Sequence, residues 1–210
     1  MSSQPNEYQT AAHANAYLNN ADDIPHRREG ALVILELLPD KLGHVMDLGA
    51  GDGLLLDFIK AHKEIKQGVA TDFSQTMLEH ARNRFAEDAS VTVLAHDLND
   101  PLPPGPPCDA IVSSFAIHHV TDERKYTLYQ EIYDRLAPGG YFCNLEHVSS
   151  PTQKLHEDFY KALGTTADQA DPSNICAPVE VQLNWLREIG FADVDCYWKW
   201  RELALLAGQK

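Results

Sequence analysis

The sequence predicts an α/β fold: a three-layer α-β-α domain whose seven-stranded sheet is mostly parallel and ends in an antiparallel strand. Three observations carry that expectation. Val45, Met46 and Leu48 form a short β-type run that stops at Gly49-x-Gly51-x-Gly53, after which Leu54, Leu55, Phe58 and Ile59 recur at helical spacing. Short apolar runs then alternate with amphipathic helical patterns as far as residue 148, which implies strands covered on both faces. The C-terminal end breaks that rhythm. Val194, Cys196, Trp198 and Trp200 alternate with Asp195, Tyr197 and Lys199, and a second strand pattern follows at once over 202–207. Two strands with no helix between them form a hairpin, so the last strand runs against the rest.

Residues 10–20 and 25–38 read as helices, the second from the spacing of Ala31, Ile34, Leu35 and Leu38, with Pro39 as its stop. Strands are expected at 44–48, 67–72, 91–96, 109–114 and 141–148, with helices at 54–62, 74–86 and 122–136 among them. Ser74 is placed to N-cap the helix that follows it, and Pro138 to Gly140 to stop and turn the chain. The proline-rich stretch 101–107 joins the third and fourth strands as a stiff linker without room for a long helix. Residues 149–190 lie between the fifth and sixth strands and hold Phe159, Tyr160 and Trp185, with an irregular stretch at 168–178. The 210 residues fit a single domain: a helical cap at 1–40, a core at 44–148, this insertion, and a hairpin at 191–210.

The chemistry starts at the glycine loop. Alternating glycines let the backbone turn tightly and bring a ligand against bare main chain, while the helix that begins there points free N–H groups into the same space. Val69 to Asp72 reads as a second strand ending in a carboxylate 23 residues beyond Gly49, where a nucleotide-binding α/β unit places the acid for ribose hydroxyls. A formal charge of −14 and the lack of a basic stripe argue against a nucleic-acid partner. No run of roughly 18 apolar residues is present to span a membrane, and the N-terminus has neither a basic start nor an apolar stretch. Cys108, Cys143, Cys176 and Cys196 show no Cys-x-x-Cys spacing and are expected as reduced thiols in a cytoplasmic protein.

Asp47-x-Gly49-x-Gly51-x-Gly53 resembles the first motif of the class I S-adenosylmethionine-dependent methyltransferases. Ser74, Met77 and Leu78 after Asp72 match that family's continuation of the second strand. His96-Asp97-Leu98 resembles the close of its third strand, Asp109 to His119 its fourth-strand motif, and Leu136 to Phe142 its helix-to-fifth-strand turn. The terminal hairpin is also what that family shows, whereas a dehydrogenase-type sheet continues to a sixth parallel strand. The resemblance covers residues 44–148 and implies a Rossmann-like fold, S-adenosylmethionine as cofactor, and methyl transfer to a small-molecule acceptor at O, N or C.

Roles follow residue by residue as implications of that resemblance. Gly49, Ala50 and Gly51 face the methionine part of the cofactor through main chain, with Asp47 beneath, contacting the ammonium directly or through water. Asp72 binds both ribose hydroxyls, Phe73 and Met77 lie against the adenine, and Asp97 accepts from its amino group beside the Leu98 backbone. Ser113 and Phe115 line the crevice near the reacting methyl, and Tyr17 with Arg28 or Arg27 reaches the cofactor carboxylate from the cap. A base is needed only where the acceptor must lose a proton. His118 and His147, each one of a pair at a strand end, are expected as base or as acceptor-orienting groups. No metal is expected, because His118, Glu146 and His147 match no ligand spacing. Residues 149–190 would form an acceptor lid for a small apolar or aromatic compound, and the oligomeric state, a homodimer included, stays open.

Two other possibilities stay open. The segment Val179, Glu180, Trp185, Gly190, Phe191 resembles the C-terminal region of carboxy-S-adenosylmethionine synthases, but Trp185 stands where that family carries the arginine for the extra carboxylate, with Arg187 close by. The other is a non-catalytic S-adenosylmethionine-binding protein, against which the intact glycine and acid motifs argue.

Overall fold

The computed structural model describes residues 26–210. The expected helix at 10–20 and Tyr17 lie outside the described residues. In chain order the elements are α1 (Arg27–Leu37), β1 (Lys41–Leu48), α2 (Leu54–Lys60), β2 (Glu64–Asp72), α3 (Gln75–Arg84), β3 (Val91–Ala95), β4 (Cys108–Ser114), α4 (Asp122–Arg135), β5 (Leu136–His147), α5 (Gln153–Ala162), α6 (Val179–Ile189), β6 (Ala192–Trp200) and β7 (Leu203–Gln209). The seven strands form one sheet in the order β3-β2-β1-β4-β5-β7-β6. β1 to β5 pair in parallel, and β7 runs antiparallel to both β5 and β6. The order reverses at β1, where the chain first crosses toward β2 and later returns to β4, so a crevice opens there beyond the strand ends.

Alternation along the strands feeds two cores. Val45, Ala110, Val112, Cys143 and Leu145 face one side with Ile34 of α1, Leu38 just after it, and Leu55, Leu56 and Ile59 of α2. Their neighbours Met46, Ile111 and Phe142 face the other, against Leu128, Tyr129 and Ile132 of α4 and Leu186 of α6. Trp185 belongs to this second layer, edge-on to the rings of Tyr126 and Tyr129. It does not roof the crevice, and the segment from Val179 onward is a covering helix, not part of a lid. Its apolar residues recur at 3.6-residue spacing and are buried under β7, where Val179 and Leu183 meet Ala204 and Leu206.

Local chemistry departs from expectation at two turns. Ser74 occupies the N-cap position of α3, but its side chain caps nothing; its backbone N–H donates to Asp72 Oδ1 at 2.8 Å. Pro138 to Gly140 lies inside β5 as an irregularity between the Cys108–Leu136 and Ala110–Tyr141 pairs, and does not separate helix from strand. The 101–107 linker carries no helix and is tied to α4, with Leu102 N–H on Glu131 Oε2 and Arg135 on the Pro103 carbonyl. Among the described residues no helix is long and apolar enough to cross a membrane, and the four cysteines are free.

Candidate functional site

The loop 49–53 takes a left-handed course, with φ of 64° at Gly49, 57° at Gly51 and 85° at Gly53. Gly49 is needed twice over, since a Cβ there would lie 2.2 Å from the Ala116 Cβ. The loop is tied to the next strand by Ala50 N–H on the Thr71 carbonyl at 2.7 Å and by Gly51 N–H on Asp72 Oδ2 at 2.9 Å. Asp72 therefore sits under the loop it faces. Burial raises its pKa, and the Ser74, Gly51 and Phe73 N–H groups work against that rise.

Asp47 is the anomaly of the site. It is 0% exposed, and among the described residues neither carboxylate oxygen has a hydrogen-bond partner. Desolvation pushes its pKa up to about 7, opposed by the Leu56 N–H and the Arg27 charge. A buried carboxylate without partners is costly unless a ligand supplies them.

These groups line a cleft of about 830 Å³, counting space open to solvent. Gly49, Ala50, Gly51, Asp47, Asp72, Phe73, Met77, Asp97, Leu98 and Phe115 all face it, as do Arg27, Asp52, Leu55, His96, Asn99, Ser114, Ala116, His119 and Val120. Asp97 Oδ1 also accepts from the backbone and side-chain N–H groups of Asn99, bracing the turn. Phe115 holds a left-handed φ of 54°, its N–H donates to the Leu145 carbonyl, and Arg27 lies over its ring at 5.6 Å. A non-glycine residue so held stores strain, and such residues cluster at ligand sites.

Four expected residues fall elsewhere. Arg28 is exposed and does not line the cleft; Arg27 does, because the helix begins at Arg27 and turns the next side chain outward. Ser113 is fully buried, its Oγ donating to the Leu48 carbonyl across the β1–β4 pair, and Ser114 faces the cleft instead. His118 lies behind the cleft wall, and it is His119 that lines it; residues 117–119 form a 3₁₀ turn, so strand alternation does not hold there. His147 lines a second cavity and bonds Glu202 at 3.0 Å.

His118 is nonetheless engaged. Its Nδ1 is 2.6 Å from Glu146 Oε1, and its ring packs against those of His119 and His147 at 4.1 and 5.6 Å. Burial lowers the His118 pKa and raises that of Glu146 to about 7. His119 is held down to about 3 by burial and by His118. Behind the pair, Glu146 meets Asn144, Asn144 meets Tyr129, and Tyr129 donates to Gln182 at 2.6 Å. Above it, Ile175 is held at both ends of its peptide: its N–H donates to the His118 carbonyl, and its carbonyl accepts from the fully buried Lys125 ammonium. Sequence spacing offered no sign of Ser114, Ala116 or Leu55 at the cleft. His119 is the sequence neighbour of the expected His118, and of the two arginines left open it is Arg27 that reaches the cleft.

Comparison with known proteins agrees with this geometry. Residues 45–140 match the methyltransferase domain family. A carboxy-S-adenosyl-L-methionine synthase of Nautilia profundicola is 22% identical over 86% of this chain and 84% of its own. A demethylmenaquinone methyltransferase of Clavibacter sepedonicus is 30% identical over 72% of this chain and 66% of its own. The solved human N-acetylserotonin methyltransferase in complex with S-adenosylmethionine has the same fold, with a TM-score of 0.69 at 17% identity, covering 97% of this chain and 57% of that one. The chain belongs to the class I S-adenosylmethionine-dependent methyltransferases, with S-adenosylmethionine as its cofactor.

Proposed function

We propose that the cleft holds S-adenosylmethionine along the Gly49–Gly51 loop and that the chain passes its methyl group to a small-molecule acceptor. The observation that carries this is Asp47, a buried carboxylate with no hydrogen-bond partner among the described residues, lining the cleft beside the bare loop and the Arg27 charge. An ammonium satisfies Asp47, and the Arg27 guanidinium suits the adjoining carboxylate. Asp72 takes the ribose hydroxyls, Asp97 the adenine amino group, and Phe73, Met77 and Leu98 the ring faces. When bound, the cofactor supplies an electrophilic methyl on a sulfonium. Much of the rate then comes from holding two reactants in a water-poor cleft, on the order of several kcal/mol.

Where the acceptor compound carries O–H or N–H, its proton passes to the histidine wall, in which His119 lines the cleft and the buried His118 packs against its ring. Glu146 takes one N–H of the His118 ring, the arrangement by which a carboxylate orients an imidazole, and burial keeps that ring neutral. Residues 149–178 wall the acceptor side, and the free cysteines and acidic charge support a cytoplasmic protein with no nucleic-acid partner. The synthase alternative is not adopted. Trp185 is packed between tyrosines in a helix layer, and Arg187 bonds Asn184 and the Val194 carbonyl, so neither offers a cation to the cleft.

The test is calorimetric titration with S-adenosylhomocysteine, followed by a screen of acceptors with methyl-labelled cofactor. Saturable binding and a labelled product are expected. Absence of binding heat refutes the cofactor site; binding without transfer to any acceptor leaves a cofactor-binding protein and refutes the enzyme.

A further inference from the structure

A second cavity, also about 830 Å³ with its open space, lies at the C-terminal end of β5, beside α5 and the 170–176 segment. His147, His156, Tyr160, Asp171, Asn174 and Glu202 are among its lining residues. Glu202 is 1% exposed and bonds both imidazoles, His147 Nε2 at 3.0 Å and His156 Nδ1 at 2.9 Å. A neutral ring that spends one N–H on a carboxylate presents its other nitrogen as an acceptor. Asp171, whose Oδ1 already accepts from the Ser173 N–H and hydroxyl, adds a second carboxylate charge, and among the described residues no lysine or arginine lines the space. The wall therefore offers acceptors and negative charge, with the Tyr160 ring as a further partner for a cation. A ligand rich in N–H donors and positive charge is matched to it, whereas a carboxylate or phosphate is repelled.

This cavity adjoins the cofactor cleft. His119 lines the cleft, His147 lines the cavity, and the His118 ring touches both. Ser173 lies 3.1 Å from His119 Nδ1, between Asp171 and Asn174 on the cavity side. The histidine pair and that one turn form a shared wall.

We infer that this polar cavity holds the amine of a small amine-bearing acceptor, whose nucleophilic end reaches past the histidine wall into the cofactor cleft. The inference rests on the cofactor reading of the cleft. It also replaces the apolar acceptor expected from the aromatic content of 149–190, since Phe159 is buried against Tyr160 and Leu203 and does not line the cavity.

The test uses the full chain saturated with S-adenosylhomocysteine and titrated calorimetrically with tyramine, histamine and ethanolamine, matched against 4-hydroxyphenylacetate, imidazole-4-acetate and glycolate. At least one amine is expected to bind about tenfold or more tighter than its matched acid, a difference of about 1.4 kcal/mol. Glu202→Gln and Asp171→Asn should each weaken that amine several-fold while leaving S-adenosylhomocysteine affinity unchanged. Equal binding of amines and acids, no binding of any amine to the loaded protein, or variants that bind the amine as the parent does overturns the inference. If Glu202→Gln does not fold, Asp171→Asn decides alone. Loss of S-adenosylhomocysteine binding in the parent chain is a different result, and sinks the cofactor reading instead.

Discussion

Replacing Asp47 with asparagine should make the ligand-free protein more stable, and increasingly so as pH rises. Burial lifts the Asp47 carboxyl from 3.8 to about 7, so the folded state holds its proton more tightly than the unfolded chain. The contribution is fully present below the unfolded value, and it is lost as pH rises toward and through about 7. At about 1.4 kcal/mol per pKa unit, the penalty is about 1.5 kcal/mol at pH 5 and about 4 kcal/mol at pH 8. Whatever the buried amide of the variant costs is the same at both pH values, so it cancels in the difference. Glu146 titrates in both proteins and cancels too. Urea denaturation of parent and Asp47→Asn at pH 5 and pH 8 should therefore show their stability gap shifting by about 2.5 kcal/mol in favour of the variant. The same substitution should weaken S-adenosylhomocysteine by about 2 kcal/mol, because its ammonium loses a charged partner. A gap that stays constant with pH would mean that Asp47 titrates as an ordinary surface acid, and would remove the stored cost from which its role was deduced.

Gly49→Ala should lower thermal stability by about 2 kcal/mol or more and abolish S-adenosylhomocysteine binding, because its methyl collides with Ala116 and φ is 64°; normal binding would show that the loop yields. Asp72→Ala should weaken S-adenosylhomocysteine by about 2 kcal/mol or more, and should also loosen the turns whose Gly51 and Ser74 N–H groups it accepts. Calorimetry with unchanged affinity counts against its role. With an identified O–H or N–H acceptor, turnover should rise with pH through about 7, as Glu146 ionises and can take the His118 N–H. Glu146→Gln should flatten that rise and His118→Ala should slow turnover at every pH, both with S-adenosylhomocysteine affinity intact; a parent-like profile in either would exclude the pair.

The sheet was legible because alternation along a strand is a strong constraint: Val45 and Met46, or Ala110 and Ile111, must feed opposite cores. The hairpin was equally plain, since no helix fits between Trp200 and Leu203. The glycine loop, Asp47 and Asp72 could be located because their spacing expresses backbone geometry. What failed lies where regular geometry ends. Ser113 and Ser114 differ only in which side the last residue of β4 presents, and a bond to Leu48 decided it. Strand alternation puts His118 and His119 on opposite sides of an extended chain, but a 3₁₀ turn intervenes. Arg27 and Arg28 depended on the first residue of a helix, the least determinate of positions. Trp185 is aromatic whether it roofs a crevice or packs a helix, and only the contacts of α6 tell which.

The clamp on Ile175 bears on how substrates come and go. Swinging that stretch away would strip a sequestered ammonium of a carbonyl and break a main-chain tie to His118, at a cost of about 1.5–3 kcal/mol for the charged bond alone. Traffic through the site is therefore cheaper along routes that leave this anchor closed, and Lys125→Met, which cuts it, should trade steadiness of the shared wall for faster exchange.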